Sequence, residues 1–427
     1  MDEMKKMKYI LFLLVLIFCM PVASEASTTL QSKIDQSPKG ATLEIEEGEY
    51  EETLVISKPI ILEGKGEVLL RSCDADPVVT ISGVAVTLKN INVEHCGDDK
   101  ENTAIYVTGS KHILEEVNIE TKRFGIRLNQ ANDVTIRDSE IIGRKRGNGI
   151  DLWKSNRNQF ENLIINNVSD GIYLEQSNEN TLHRNNIQNS RYGMHLMFSD
   201  DNVLTKNVSK SNITGAMLME SKRTSVNSNA FYSNSNSVNA QGLLIYKASE
   251  TEVTKNEFLS NRVGVYIEEA ENNRIDFNKI MDNFIGVQFQ KATGNKIVSN
   301  TFVGNVNDAQ AIVSSNNEID GNYWDVASKV DIDGNGESEI IFTADPYFLT
   351  LTADVPEYQL FFQAPGLILL QNLLKSPPEQ LLTDSAPLMD MTMVVEKETF
   401  SMFGLWMMSV VMILASFSLF ILGRKRK

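Results

Sequence analysis

Residues 171–202 read GIYLEQSNENTLHRNNIQNSRYGMHLMFSDDN, and the same pattern occurs twice within them. Gly171-Ile172-Tyr173-Leu174 and Gly193-Met194-His195-Leu196 are each a glycine followed by apolar residues at alternate positions. Working outward, the pattern recurs at Gly125, Gly149, Gly215, Gly242, Gly264 and Gly286, with successive steps of 24, 22, 22, 22, 27, 22 and 22 residues. A second series keeps the same phase: Asn158, Asn180, Asn202, Thr251, Asn273, Asn295 and Asn317. Several of its members are followed five residues later by another asparagine, as Asn202 is by Asn207 and Asn295 by Asn300.

Segments that alternate every two residues and are this short and polar are strands, and the Asn, Ser, Asp and Gly between them are turn residues. One such repeat cannot bury its own apolar face, whereas stacked repeats close a continuous core. Identical amides in register hydrogen-bond along the stacking axis, which accounts for the asparagine series. The expected fold is therefore all-β: a right-handed parallel β-helix with turns of about 22 residues. Leucine-rich repeats share the period but need a Leu and Asn consensus that is absent. The series extends backward through Val134, His112 and Val86, placing the coil at 45–325. Leu30 and Ile34, at helical spacing behind Ser27 and Thr28, predict an N-terminal cap over 27–44 that covers the open end of the coil.

Alternation divides each strand between two faces. Positions one and three after the glycine (Ile150 and Leu152, Ile172 and Leu174, Met194 and Leu196) predict the core. Positions two and four predict an outward strip with Trp153, Tyr173, His195, Met197, Met217, Met219, Tyr246 and Tyr266. In register His195 falls beside Met217, and Met197 beside Met219, at the roughly 4.8 Å spacing of neighbouring strands. Imidazole and thioether donors so placed suit Cu(I), making His195, Met197, Met217 and Met219 candidate copper ligands. The same strip also reads as a docking surface for a protein partner, since methionine adapts to binding faces.

Composition narrows the alternatives. The chain has 427 residues and a net charge of -16 from 56 acidic and 40 basic side chains, which excludes nucleic acid as a partner. Three cysteines rule out a disulfide-dense scaffold, and four histidines limit any His-based metal centre. Cys73 and Cys96 lie about one turn apart, so a cross-turn disulfide and two core thiols both remain open. Asp200 and Asp201 match the paired carboxylates of a polysaccharide-cleaving β-helix, although Ser199-Asp200-Asp201-Asn202 is also an ordinary bend composition. Asp331, Asp333, Asn335 and Glu337 resemble the opening of a calcium loop that lacks its twelfth-position Glu, where Phe342 stands, and they are candidate Ca²⁺ ligands within an acidic turn at 326–350.

The ends read as membrane signals. Lys5, Lys6 and Lys8, an apolar run from Tyr9 to Met20 and Ser24-Glu25-Ala26 predict a signal peptide over 1–26. An uncharged run at 402–422 followed by a basic tail at 423–427 predicts a transmembrane helix with a cytoplasmic C-terminus, leaving the main domain extracytoplasmic. Between coil and span, 351–400 is an apolar segment broken by Pro356, Pro365, Pro377, Pro378 and Pro387. Its Phe361, Phe362, Leu369 and Leu373 are candidate partner contacts, joining Trp153, Tyr173, Tyr246 and Tyr266.

The run from Arg191 to Asn202, with Gly171-Ile172-Tyr173-Leu174 before it and Gly321-Asn322-Tyr323-Trp324-Asp325 after it, resembles the NosD family. That resemblance implies an exported β-helix accessory protein that supports copper-centre assembly of nitrous oxide reductase in denitrification. It implies partnership with the separate permease and ATPase of an ABC-type transporter, and with a copper chaperone or the reductase itself. The chain has no phosphate-cradling Gly-x-x-x-x-Gly-Lys-Ser/Thr loop, in keeping with a separate ATPase. The family's soluble members lack the span at 402–422. The competing expectation is a β-helix polysaccharide lyase, hydrolase or epimerase, or a carbohydrate-binding surface protein using Trp153, Tyr173 and Tyr246.

Overall fold

A computed structural model describes residues 29–75, 77–345 and 381–391, with isolated positions 351, 357, 366, 373 and 376. The expected signal peptide, the span at 402–422, the basic tail, and Phe361, Phe362 and Leu369 lie outside the described residues. Among the described residues no helix is long and apolar enough to cross a membrane. The chain divides into two compact units, Met1–His195 and Leu196–Lys427. Each is an all-β parallel solenoid.

The first unit opens with the helix Leu30–Gln36, whose Thr29 side chain accepts the Ser32 N–H and whose Leu30 and Ile34 are buried. The helix also saturates the sheet edge beneath it. Gln31 donates to the Val55 carbonyl at 3.1 Å and accepts the Val55 N–H at 2.8 Å, while the Glu52 carboxylate accepts the N–H groups of Leu30 and Gln31. Edge strand groups that would otherwise template aggregation are thereby paired. The coil that follows is held in strict register: Ile126, Ile150 and Ile172 form one column, and Leu128, Leu152 and Leu174 another. On the other wall, Ile119, Ile141, Ile165 and Ile187 stack in the same way. His112 stands where later turns have asparagine. Its Nδ1 accepts the Val86 N–H at 3.1 Å and its Nε2–H donates to the Thr108 carbonyl, so a ring nitrogen replaces an amide oxygen. Cys73 and Cys96 are joined as a disulfide with Cα atoms 4.6 Å apart, which settles the choice against core thiols.

The repeat glycine is needed because turns approach too closely for a side chain. A Cβ on Gly171 would lie 2.4 Å from the Gly193 carbonyl oxygen and 2.4 Å from Ile187 Cγ2. Gly171→Ala is expected to cost about 1–3 kcal/mol, the usual range for overpacking. Urea unfolding checks this, and an unchanged midpoint would refute the close-approach account.

In the second unit the strands Thr214–Met219, Gln241–Tyr246, Val263–Glu268, Ile285–Gln290 and Asn307–Ile312 pair in parallel. Their core column of Leu218, Ile245, Ile267, Phe289 and Ala311 is fully in register. The asparagines form true ladders. In one, the backbone N–H and Nδ2 of Asn256 both donate to Asn278 Oδ1, those of Asn278 to Asn300, and those of Asn300 to Asn322. A second ladder runs Asn234, Asn261, Asn283 and Asn305. Every bond points the same way, so each ladder ends with donors in need of an acceptor. Buried carboxylates supply it: Asp384 accepts from Asn322 at 2.9 Å, and Asp308 from Asn305 at 3.1 Å. Asp384 also accepts Trp324 Nε1–H at 2.8 Å, and Trp324 stacks between Phe302 and Phe342.

Candidate functional site

The outward face of the first unit is more polar than its sequence suggests. Tyr106, Arg127, Asp151 and Tyr173 are register partners on successive strands. Asn148 donates to Asp151 at 2.8 Å, and burial raises the Asp151 carboxyl above the usual carboxylate range. Tyr173 donates to Glu175 at 3.0 Å; its phenol is pushed well above the ordinary value, by burial first and the Glu175 carboxylate second. Beside them Asn129, Trp153 and Glu175 make a second column, with the Lys154 ammonium 4.2 Å from the Trp153 ring centroid.

His195 follows on the strand Tyr192–Met197 and is only 8% exposed. Its ring packs against Tyr173 at 5.0 Å between centroids and edge-on against Tyr192 at 4.8 Å. Its Nδ1 lies 2.9 Å from an oxygen of Asp170, a carboxylate 1% exposed. Arg191 Nε and Nη2 grip the same carboxylate at 2.9 and 3.0 Å, and its guanidinium lies 4.6 Å from the Tyr192 centroid. The Nε2 of His195 is buried with no hydrogen-bond partner. A buried imidazole with one nitrogen held by a carboxylate and the other left open matches the usual outer-shell arrangement of metal-binding histidines.

The three methionines belong to the second unit. Phe198 N–H donates to the Met219 carbonyl at 3.0 Å, just as Glu220 N–H does to Tyr246 one turn on, so Met197, Met219 and Tyr246 form one column. Met217 pairs with Leu244. All three thioethers are half-buried. The His195 imidazole, with its Nε2 lacking a hydrogen-bond partner, is a donor type that suits copper, and the thioethers of the second unit are by themselves soft donors of the kind Cu(I) selects.

The remaining candidates are engaged structurally. Asp201, in a left-handed bend conformation, forms a two-pronged ion pair with Arg223, and Asp200 accepts the Lys222 N–H. Tyr266 hydroxyl bonds Gln290, and Lys247 lies over the Tyr246 ring. Leu373 is 70% exposed. In the acidic loop, Asp331 and Asp333 converge with Glu339, all ligand atoms lying within 4.8 Å. Glu337 is not part of this group; its backbone N–H donates to Asn335 Oδ1, and its backbone bridges to Leu388. Asn335 donates to Asp333, and Asp331 accepts N–H groups from Gly334 and Gly336, the latter contact first in holding its carboxyl below the usual range.

Asp170 and Arg191 escaped the sequence reading. The position before the repeat glycine is Phe124, Asn148, Tyr192, Thr214, Gln241, Val263 or Ile285 in other turns, and only at Asp170 does it carry a charge within that set. That departure was the available signal.

Strict register, amide ladders and short strands with an open outward face place the chain among the parallel β-helix proteins. Similar solved structures include the A-module of the mannuronan C-5 epimerase AlgE6 from Azotobacter vinelandii, with a TM-score of 0.58 and 15% identity over 68% of this chain and 93% of that one. The periplasmic alginate epimerase AlgG superposes with a TM-score of 0.50 and 14% identity over 69% of this chain and 82% of that one. At these identities the likeness is one of fold. No curated protein matches in sequence. Residues 139–336 match the NosD family, described as periplasmic copper-binding protein (NosD). The matched stretch contains all three segments that carried the resemblance to that family.

Proposed function

We infer that this chain is an extracytoplasmic accessory protein of copper handling, which binds Cu(I) as cargo rather than catalysing a reaction. The observation that carries this reading is the open, buried Nε2 of His195 inside a segment matching a family described as copper-binding. His195 would hold the ion through Nε2, and Met197, Met217 and Met219 are thioether donors of the soft class that Cu(I) also accepts. Asp170 and Arg191 keep the imidazole in place, and the Tyr173 and Tyr192 rings exclude water from it. Copper supplies no chemistry here beyond being bound and passed on. The Cys73–Cys96 disulfide is in keeping with an oxidising compartment. The finer reading follows from the resemblance: the chain is anchored through 402–422, docks on the permease of an ABC-type transporter, and serves copper-centre assembly of nitrous oxide reductase. The test is a chelator competition titration of the full chain with Cu(I). His195→Ala and Met217→Ala are each expected to weaken binding at least about tenfold. Unchanged affinity in both would make the strip a docking surface and overturn the copper reading.

A second reading, a glycan-acting enzyme, is favoured by the Arg127, Asp151 and Tyr173 column, since acidic and basic groups beside an aromatic ring suit sugar chemistry. It ranks second because the likeness to the epimerases is one of fold alone, whereas the stretch holding Asp151 and Tyr173 matches a family described as copper-binding. Turnover of a uronate polymer that disappears in Asp151→Asn would reverse this order.

A further inference from the structure

Asp170 sits one residue before the repeat glycine, where its carboxylate is nearly inaccessible to water. A buried charge is tolerated only when it is paired and hydrogen-bonded. Arg191 meets that demand from the next turn with a two-pronged grip, its backbone pinned by an N–H donated to the Ser169 carbonyl at 2.7 Å. The guanidinium cannot give up its charge, so the carboxylate it clamps is an acceptor only. The nitrogen of His195 facing that carboxylate must therefore carry the proton. Whenever the ring carries a single proton, Nε2 is therefore the lone-pair nitrogen, and the flanking Tyr173 and Tyr192 rings oppose rotation. The four groups form a chain, Arg191 to Asp170 to His195 Nδ1 to an open Nε2, in which each member fixes the next.

We propose that Asp170, clamped by Arg191, is a positioning residue that holds His195 in the Nδ1–H tautomer and presents Nε2 as the donor to a soft metal ion. This rests on the copper reading above and adds to it the residues that set the donor's orientation. An asparagine at 170 keeps the shape but offers an N–H as well as an oxygen, so the tautomer is no longer dictated.

The experiment uses the full chain labelled with ¹⁵N-histidine, whose four histidines permit assignment of His195 by its loss in His195→Ala. Two quantities are read: the imidazole ¹⁵N shifts of the metal-free protein, and Cu(I) affinity by chelator competition. Wild type is expected to show a single Nδ1–H tautomer. Asp170→Asn is expected to show mixed tautomers and to lose about 10–100-fold in affinity, the usual cost of removing an outer-shell partner. Arg191→Lys, which keeps the charge but not the fork, is expected to fall between them. Wild-type shifts and affinity in both variants would overturn the proposal. Shifted tautomers with no Cu(I) bound even by wild type would support the positioning role and overturn the metal reading, so the two failures are distinguishable. If Asp170→Asn does not fold, Arg191→Lys carries the test.

Discussion

Asp384→Ala is expected to destabilise the second unit by about 4 kcal/mol and to loosen the strand Leu382–Asp384 from the last coil turn. The Asp384 carboxylate is the acceptor on which the ladder Asn256, Asn278, Asn300 and Asn322 ends. Its Oδ2 takes the Asn322 N–H at 2.9 Å and the Trp324 indole N–H at 2.8 Å, while Oδ1 takes the Gly321 N–H at 3.0 Å. Asn322 and Trp324 are buried at the end of the stack, where each donor left without a partner costs about 1–3 kcal/mol. Some rehydrate once the strand lifts, which keeps the total below the simple sum. Asp320 answers from the coil side by accepting the Ser385 and Ala386 N–H groups at 2.8 and 3.0 Å, so the lock is reciprocal. Asp384→Asn retains one acceptor oxygen and should lose roughly half as much. Urea unfolding followed by tryptophan emission reads the change, because Trp324 stacks between Phe302 and Phe342. Equal midpoints for wild type and Asp384→Ala would show that the ladder needs no carboxylate terminator.

That lock marks where sequence reading stops. The repeat glycines and the alternating apolar residues were legible because their cause is local: a two-residue alternation and a fixed period determine which side chains face inward. Ile150, Leu152, Ile172 and Leu174 are accordingly fully buried. The asparagine series was legible for the same reason. Its terminator was not, because Asp384 lies 62 residues beyond Asn322 and enters from outside the repeat. The candidate site divides in the same way. His195 and the methionines stood out as unusual residue types at outward positions. Asp170 did not, since an acid before a repeat glycine looks like a turn residue until Arg191 and His195 are seen closing on it. In the acidic loop the carboxylates that converge are those of Asp331, Asp333 and Glu339, and the part of Glu339 was not legible because it depends on how the loop folds back on itself. The disulfide lay in between. The spacing of Cys73 and Cys96 allowed it, but the irregular register of the early turns left the pairing open until the fold was described.

The second large effect concerns pH. Asp308 takes the place of the repeat glycine in the last full turn, opposite Gly286. A Cβ on Gly286 would lie 2.4 Å from the Asp308 carbonyl oxygen, and at the end of the column that obstruction is gone, which is why a side chain is accommodated there. The carboxyl points into a dry interior, 7% exposed, with one hydrogen bond from Asn305 and the charge of Asp325 nearby. Burial pushes it up to about 7 from an ordinary 3.8. Because the folded value is raised, the folded protein binds this proton more tightly than the unfolded chain does. The contribution to stability is therefore fully present below about pH 4, is lost progressively as pH rises, and is gone once pH has passed through about 7. A shift of this size corresponds to at most about 4 kcal/mol between those limits. Burial also raises the carboxyls of Asp151 and Asp384 and lowers the His112 imidazole, so the slope of the wild-type chain alone is composite. Asp308→Asn isolates the contribution, because every other group is shared between the two chains. The amide keeps an acceptor for Asn305 and has no charge to bury. The variant is expected to match wild type near pH 4 and to exceed it by a few kcal/mol at pH 8. Urea midpoints at the two pH values decide the matter: a stability difference between variant and wild type that does not change with pH would mean that Asp308 is ionised at little cost in the folded chain.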